Sequence, residues 1–343
     1  MSDKATRIGW IDEFKGFVLL LVCLYHVEQS FSYANMGMLH LSAMRMSAFF
    51  FISGMLFSTR RFPNFKDYLI HKTRVLLVPY ILLSLLFLAL DPVLYNFDLF
   101  PKAPRMTVMN IRPEIAGVWD YIYWNLAKIF VAGKSSIGSG PLWFVFTLYS
   151  VSLMFYGVQK AMTSKAITAV VAIISLAGGW LLYKNHIRLP LGIERDLTVL
   201  FFFANGWLCK GFIKADSGFR RNDRRRACGT VTLVIATIVS FCAYAFIEIP
   251  DPNFSIMNND LGKDFRIFVA SSFFGITGLV ATFILADKLP NVASIRVVKG
   301  ILRNISRNAL VMPKKELATK IGRLLPRSLF IMLKFGSGIS MKA

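Results

Sequence analysis

Arg7-Ile8-Gly9-Trp10-Ile11-Asp12-Glu13-Phe14-Lys15-Gly16 runs directly into an uncharged stretch, Phe17 to Tyr25, and then into His26. An apolar run behind a charged start reads as a helix entering a bilayer, with Lys15 near one end and His26 inside or at the other. At about 1.5 Å and 100° per residue, the eleven steps between them return to nearly the same face, roughly 16 Å along the axis. A cation and an imidazole therefore line one stripe at two depths. Asp12 falls within about 60° of Lys15, placed to orient it or to cap the helix start, whereas Glu28 points about 200° away from His26.

Comparable segments recur along the chain. Stretches close to the roughly 20 residues that a bilayer requires lie at 14–33, 39–58, 75–95, 141–159, 166–183, 197–213, 230–249 and 267–286. With 55% hydrophobic residues and a mean hydropathy of +0.54, the 343-residue chain is too apolar for a soluble domain. These patterns predict an all-α fold, a polytopic integral membrane helical bundle of about 8–10 transmembrane helices. The shorter aromatic segment 119–133 is expected to lie in the interface or dip into the membrane. The first helix carries no A-x-A-like cleavage site and reads as retained.

The net charge of +21 has a topological explanation. A cytoplasmic N-terminus puts 21 Lys/Arg on the inner side, in the terminus and in loops 59–74, 160–165, 210–228 and 287–307, against 10 in the outer loops 31–38, 91–140, 184–196 and 250–266. That asymmetry fits the positive-inside rule, and Arg220-Arg221-Asn222-Asp223-Arg224-Arg225-Arg226 reads as an anchor at anionic headgroups. No nucleic-acid partner is expected. Cys23, Cys209, Cys228 and Cys242 show no CxxC spacing, so they read as small core residues rather than a zinc or disulfide framework. Loop 91–140, with Pro92, Pro101, Pro104, Pro113 and the turn Gly138-Ser139-Gly140, is either a lid over a substrate cleft or a variable connection.

The Lys15-x10-His26 pair behind Trp10-Ile11-Asp12, then Phe49-Phe50-Phe51-Ile52-Ser53-Gly54, then Pro141-Leu142-Trp143-Phe144, resembles the acyltransferase 3 family of membrane O-acyltransferases. Among its branches the fucose 4-O-acetylase-related group is the most similar. The resemblance covers 7–310 as one transmembrane domain and leaves 311–343 as a divergent basic tail. It implies a bacterial inner-membrane enzyme with its N-terminus in the cytoplasm. Acetyl coenzyme A would be the acyl donor, with succinyl transfer also open, and a hydroxyl of a glycan or lipid-linked saccharide the acceptor. No metal is implied.

Each residue singled out has a chemical and a structural reading. Histidine serves near neutral pH as the base that takes an alcohol proton or as a nucleophile that carries an acyl group; a buried His26 bonded to a neighbouring helix is the alternative. Lys15 meets the donor phosphates or snorkels to headgroups. Arg74, ahead of Pro79-Tyr80, resembles the family's basic residues at the donor mouth or anchors topology. Arg45, inside the second span, binds the donor or the oxyanion that develops at the carbonyl; an ion pair with Glu28 is its alternative. Trp143 stacks on a sugar or belongs to an interfacial aromatic belt. Phe49 to Gly54 reads as bulky packing with a small Ser-Gly contact for another helix. His40, His71 and His186 lie near span ends without comparable context.

Two rivals come from other classes. His26, Glu28 and Arg45 also suit a proton-coupled transporter of an anionic or sugar-linked solute. A catalytically inactive relative acting as a membrane partner is the other. It is suggested by 311–343, where seven Lys/Arg stand against one Glu and the closing apolar helix expected of relatives is missing.

Overall fold

The computed structural model describes residues 9–30, 36–60, 62–96, 118–134, 142–162, 164–211, 223–248, 254–288 and 293–308. Loop positions 97–117 and 135–141, residues 220–222 of the arginine cluster, and the tail 311–343 lie outside these. Among the described residues the regular structure is helical, apart from an isolated bridge between Ser255 and Asp260. The helices are α1 (Gly9–Ser30), α2 (Ser42–Met55), α3 (Phe65–Lys72), α4 (Val78–Asn96), α5 (Val118–Phe130), α6 (Trp143–Ala161), α7 (Lys165–Lys184), α8 (Ile193–Leu208), α9 (Asp223–Glu248), α10 (Phe265–Lys288) and α11 (Ala293–Asn308). A π-helical turn, Thr73–Leu77, joins α3 to α4 in one continuous rod.

Helix stands at each of the eight apolar segments. Among the described residues four stretches are long and apolar enough to cross a membrane: Phe65–Leu90, Lys165–Lys184, Thr230–Ile247 and Phe265–Asp287. α1 has 22 residues but carries Asp12, Glu13, Lys15 and Glu28. α2 and α8, of 14 and 16 residues, are mostly buried and are wrapped by the others. The exposed faces of the long helices are hydrocarbon-like: Leu82, Ile173, Ile174, Ile235, Ile238, Phe246 and Phe273 are each more than half exposed. Such a surface suits lipid, where helices satisfy their own backbone. This is an all-α helical membrane bundle.

The main core joins α1, α2, α6, α8 and α10 through Trp10, Phe14, Phe50, Phe57, Phe155, Phe203 and Phe268; a second cluster joins α4, α5 and α6 through Tyr80, Ile129, Val145 and Phe146. Glycines set the closest approaches. A Cβ at Gly54 would lie 1.9 Å from the Phe203 carbonyl oxygen, one at Gly206 1.9 Å from that of Phe51, and one at Gly16 1.9 Å from that of Leu302. Thus the Ser-Gly contact of α2 receives α8, backbone against backbone, as small-residue membrane interfaces do.

Three expectations need correction. Residues 287–307, read as a connecting loop, include α11, which packs on α1 through Gly16 and through Glu13 bonded to Arg303. Its sparse apolar residues do not span a bilayer, but with one face on α1 the helix has a partner for them. Within 184–196, read as an outer loop, α8 has already begun, and Glu194, Arg195 and Asp196 are buried. Cys23 and Cys242 are exposed rather than core residues; a thiol is apolar enough to face lipid. Of the segment 119–133, the part up to Phe130 lies in the short helix α5, with Trp119 and Tyr123 strongly exposed, and the rest is a turn.

Candidate active site

α1 is unbroken from Gly9 to Ser30, so the helical spacing between Lys15 and His26, roughly 16 Å, applies. The two residues mark two regions of the bundle. At the end where α1 starts, Lys15 lines a cavity of about 330 Å³ with Ser53, Phe57, Tyr68, His71, Lys72 and Phe203. Its walls follow from aromatic packing. Tyr68 stacks on Tyr156 at 4.5 Å and packs against Phe57, while Phe57 meets Phe155 and Phe203. The Tyr156 hydroxyl donates to the Phe62 and Pro63 carbonyls, which fixes the chain entering α3. His71 stacks on Phe62 at 4.6 Å, and the Lys72 ammonium stands 5.4 Å from the Tyr68 ring centroid.

This cavity is therefore cationic at one wall and aromatic at the others. Lys15 and Lys72 act on each other electrostatically, so an anion between them would be favoured. Arg74 is exposed on the π-helical turn and is not part of the lining. His71, set aside on the sequence, is part of it. What brings it in is the helical phase of α3 against Phe62, which the sequence pattern alone did not reveal. A larger cavity of about 780 Å³ between α8, α9 and α10 is lined chiefly by side chains such as Phe51, Phe202 and Phe273, and offers hydrocarbon rather than reactive groups.

Towards the other end of α1, Tyr25, His26 and Glu28 meet the start of α2. The Arg45 guanidinium lies 3.8 Å from the Tyr25 ring centroid and donates through Nη1 to the Met38 carbonyl at 2.8 Å. Glu28 accepts the Met38 backbone N–H at 2.8 Å, so the two side chains hold the successive peptide groups on either side of the Met38 Cα. Arg45 is 7% exposed. Its charge acts on His26 and is balanced in part by Glu28. A half-buried imidazole, a fixed guanidinium and a carboxylate occupy one neighbourhood, the set needed to move a proton and stabilise a nearby negative charge.

Trp143 belongs to a third group. It is buried, not a lipid-facing belt residue, with its ring 6.4 Å from Phe50 of α2 and 5.6 Å from the Arg195 guanidinium. Around Arg195 stand Glu194, Asp196, Arg188 and Lys134, none singled out on the sequence. The available signal was Glu194-Arg195-Asp196 directly before an apolar run with Gly192 ahead of it. A left-handed Gly192 (φ 72°) starts α8 there and turns the three charges inward. Burial and three neighbouring cations, Arg195, Arg188 and Lys128, hold the Lys134 ammonium down to a pKa of about 8, against a smaller opposing pull from Glu194.

The family model described as an acyltransferase domain, Acyl_transf_3, matches residues 8–312. The chain belongs to this family. The match takes in α1 through α11, and with them all three polar regions, and membership implies a membrane acyltransferase. No curated protein and no solved structure matches the chain. Among the described residues no cluster of three or more His, Cys, Asp or Glu suits a metal ion.

Proposed function

We propose that this acyltransferase moves an acetyl group from acetyl coenzyme A, taken from the cytoplasm, to a hydroxyl of a glycan or lipid-linked saccharide at the opposite face of a bacterial inner membrane. The observation that carries the reading is α1 itself: one unbroken helix with Lys15 in a cationic cavity and His26 beside Arg45 roughly 16 Å away. Lys15 and Lys72 offer charge to the donor phosphates, and Tyr68 and Phe57 offer flat walls to its apolar and ring portions. An extended pantetheine arm then carries the thioester along the α1 stripe towards His26. Arg74, exposed near the same end, serves the donor on approach. The asymmetry of Lys/Arg supports a cytoplasmic N-terminus, and the fucose 4-O-acetylase-related branch remains the assignment within the family.

At the far region His26 takes the proton of the acceptor hydroxyl as its oxygen attacks the thioester carbonyl. The carbonyl π electrons move to oxygen, where Arg45 meets the negative charge with N–H groups not used on Met38. Collapse breaks the C–S bond, and the thiolate leaves as coenzyme A after taking the proton back from imidazolium. The acceptor gains an ester and the donor loses one thioester, so nothing is oxidised or reduced. Trp143 offers its ring face to the saccharide. The test uses the full chain in lipid vesicles with acetyl coenzyme A labelled in the acetyl group. Label release is expected from the unaltered protein and lost in His26→Ala; undiminished release in a folded His26→Ala protein would sink the role of His26.

A further inference from the structure

The buried charges around Arg195 have no task in the transfer step. Arg195 is fully buried, yet its Nη1 has no hydrogen-bond partner among the described residues. Its other groups are engaged: Nε faces Asp196 at 3.5 Å, Nη2 donates to the Leu191 carbonyl at 3.1 Å, and the guanidinium faces Trp143. The unpaired nitrogen lies behind Gly192. A Cβ on Gly192 would lie 3.1 Å from it, and Gly192, with Lys134, Arg188, Glu194 and Asn258, encloses a small opening between α5 and α8.

The electrostatics there are unbalanced. Glu194 accepts the Leu189 N–H and lies 3.9 Å from Arg188, and Asp196 faces Arg195 through Oδ1 while its buried Oδ2 has no hydrogen-bond partner among the described residues. Among the described residues the Lys134 ammonium donates to a neutral acceptor, Asn258 Oδ1 at 3.0 Å, and feels Glu194 at longer range, while Arg188 donates to the Asn258 carbonyl. The segment is nevertheless rigidly placed. The Tyr80 hydroxyl donates to the carbonyls of Ile129 and Lys134, and Asn259 bridges Thr198 and Gly179. Lys134, Arg188, Arg195 and nearby Lys128 outnumber the two carboxylates Glu194 and Asp196, so the partly buried site keeps an excess of positive charge that a further anion would offset.

We infer that Lys134, Arg188 and Arg195 form a subsite for an anionic group on the acceptor, so that the enzyme acts on an acidic saccharide, one bearing a carboxylate or a phosphate. The inference rests on the acyltransferase reading and supplies its substrate class. Trp143 connects the two: one face of its surroundings is Arg195 and another is Phe50, five residues along α2 from Arg45. A sugar ring at Trp143 would thus have its acidic substituent at the cations and its hydroxyls towards α2. Charge-assisted, partly desolvated contacts of this kind discriminate strongly against a neutral analogue.

The experiment measures binding of glucuronate, glucose 1-phosphate, inorganic phosphate and glucose to the full chain in lipid nanodiscs by calorimetry. At least one sugar anion is expected to bind ten times or more tighter than both glucose and inorganic phosphate. Lys134→Gln and Arg188→Gln, at sites only partly buried, should each weaken that binding about tenfold, equivalent to roughly 1.4 kcal/mol, without loss of helical circular dichroism. Equal binding of glucose and the sugar anions, no gain over inorganic phosphate, or folded variants that bind as the parent does would each overturn the inference. Label release from acetyl coenzyme A is followed on the unaltered protein in parallel. Turnover without acid preference overturns this subsite and leaves acyl transfer standing, whereas acid preference without turnover does the reverse.

Discussion

Gly54→Ala puts the α2–α8 seam to a quantitative test. The added methyl would lie 1.9 Å from the Phe203 carbonyl oxygen, and the nearest obstacle is backbone, which has no rotamer to yield. An ordinary carbon–oxygen contact is about 3.3 Å, so the helices must part locally by roughly 1.4 Å. Overpacking a core costs about 1–3 kcal/mol, and a backbone obstacle points to the upper end. Parting also loosens the Phe57–Phe203 edge contact, centroids 5.7 Å apart. Against this, alanine is favoured over glycine in a helix by about 1 kcal/mol. The net expectation is destabilisation by about 2 kcal/mol. Gly157, on α6, has no atom within 4 Å of its would-be Cβ, so Gly157→Ala keeps only the favourable part and stabilises by about 0.5–1 kcal/mol. Fluorescence-monitored thermal unfolding in detergent should move the two midpoints in opposite directions. Because Ser53 and Phe203 line the cavity proposed for the donor, Gly54→Ala should also weaken coenzyme A binding well below its midpoint. A Gly54→Ala protein as stable as the parent would refute the close-packed seam.

Other changes address the polar regions. Lys15→Gln should raise the KM for acetyl coenzyme A several-fold, whereas Arg45→Gln should lower turnover by about 10²–10³ with donor affinity nearly unchanged; steady-state kinetics separate the two. Arg303→Met would strand Glu13, which is 1% exposed. With Arg303 itself 39% exposed, the loss should be about 2 kcal/mol, below the roughly 3–5 kcal/mol of a fully buried pair, and Glu13→Gln in the same chain should restore part of the midpoint. The Lys134 pKa, lowered from 10.5 to about 8, means that the unfolded chain holds a proton that the folded one has released between those values. Stability should therefore rise with pH from about 8 to 10.5, and the parent-minus-Lys134→Met difference in midpoint across that range should show it.

Apolar runs fixed where helices stand, because in a bilayer a run of that length has no other way to satisfy its backbone. The same logic made Lys15 and His26 legible as one stripe, since helical spacing is local, and it marked Arg45 because an arginine inside such a run demands a partner. Partners themselves are not local. That Glu28 and Arg45 would both hold the Met38 backbone, that His71 and Lys72 rather than Arg74 would line the cavity with Lys15, and that α11 would pack on Gly16 depended on crossings set by glycine seams between segments far apart in sequence. The triplet Glu194-Arg195-Asp196 is the sharpest case. Charge alone placed it in an outer loop; the turn at Gly192 and the packing of α8 between α2, α6 and α7 put it inside. Periodicity thus determined the membrane helices and their polar stripe, and tertiary packing decided which buried charges meet, because the energy of a buried charge depends on neighbours that no single segment contains.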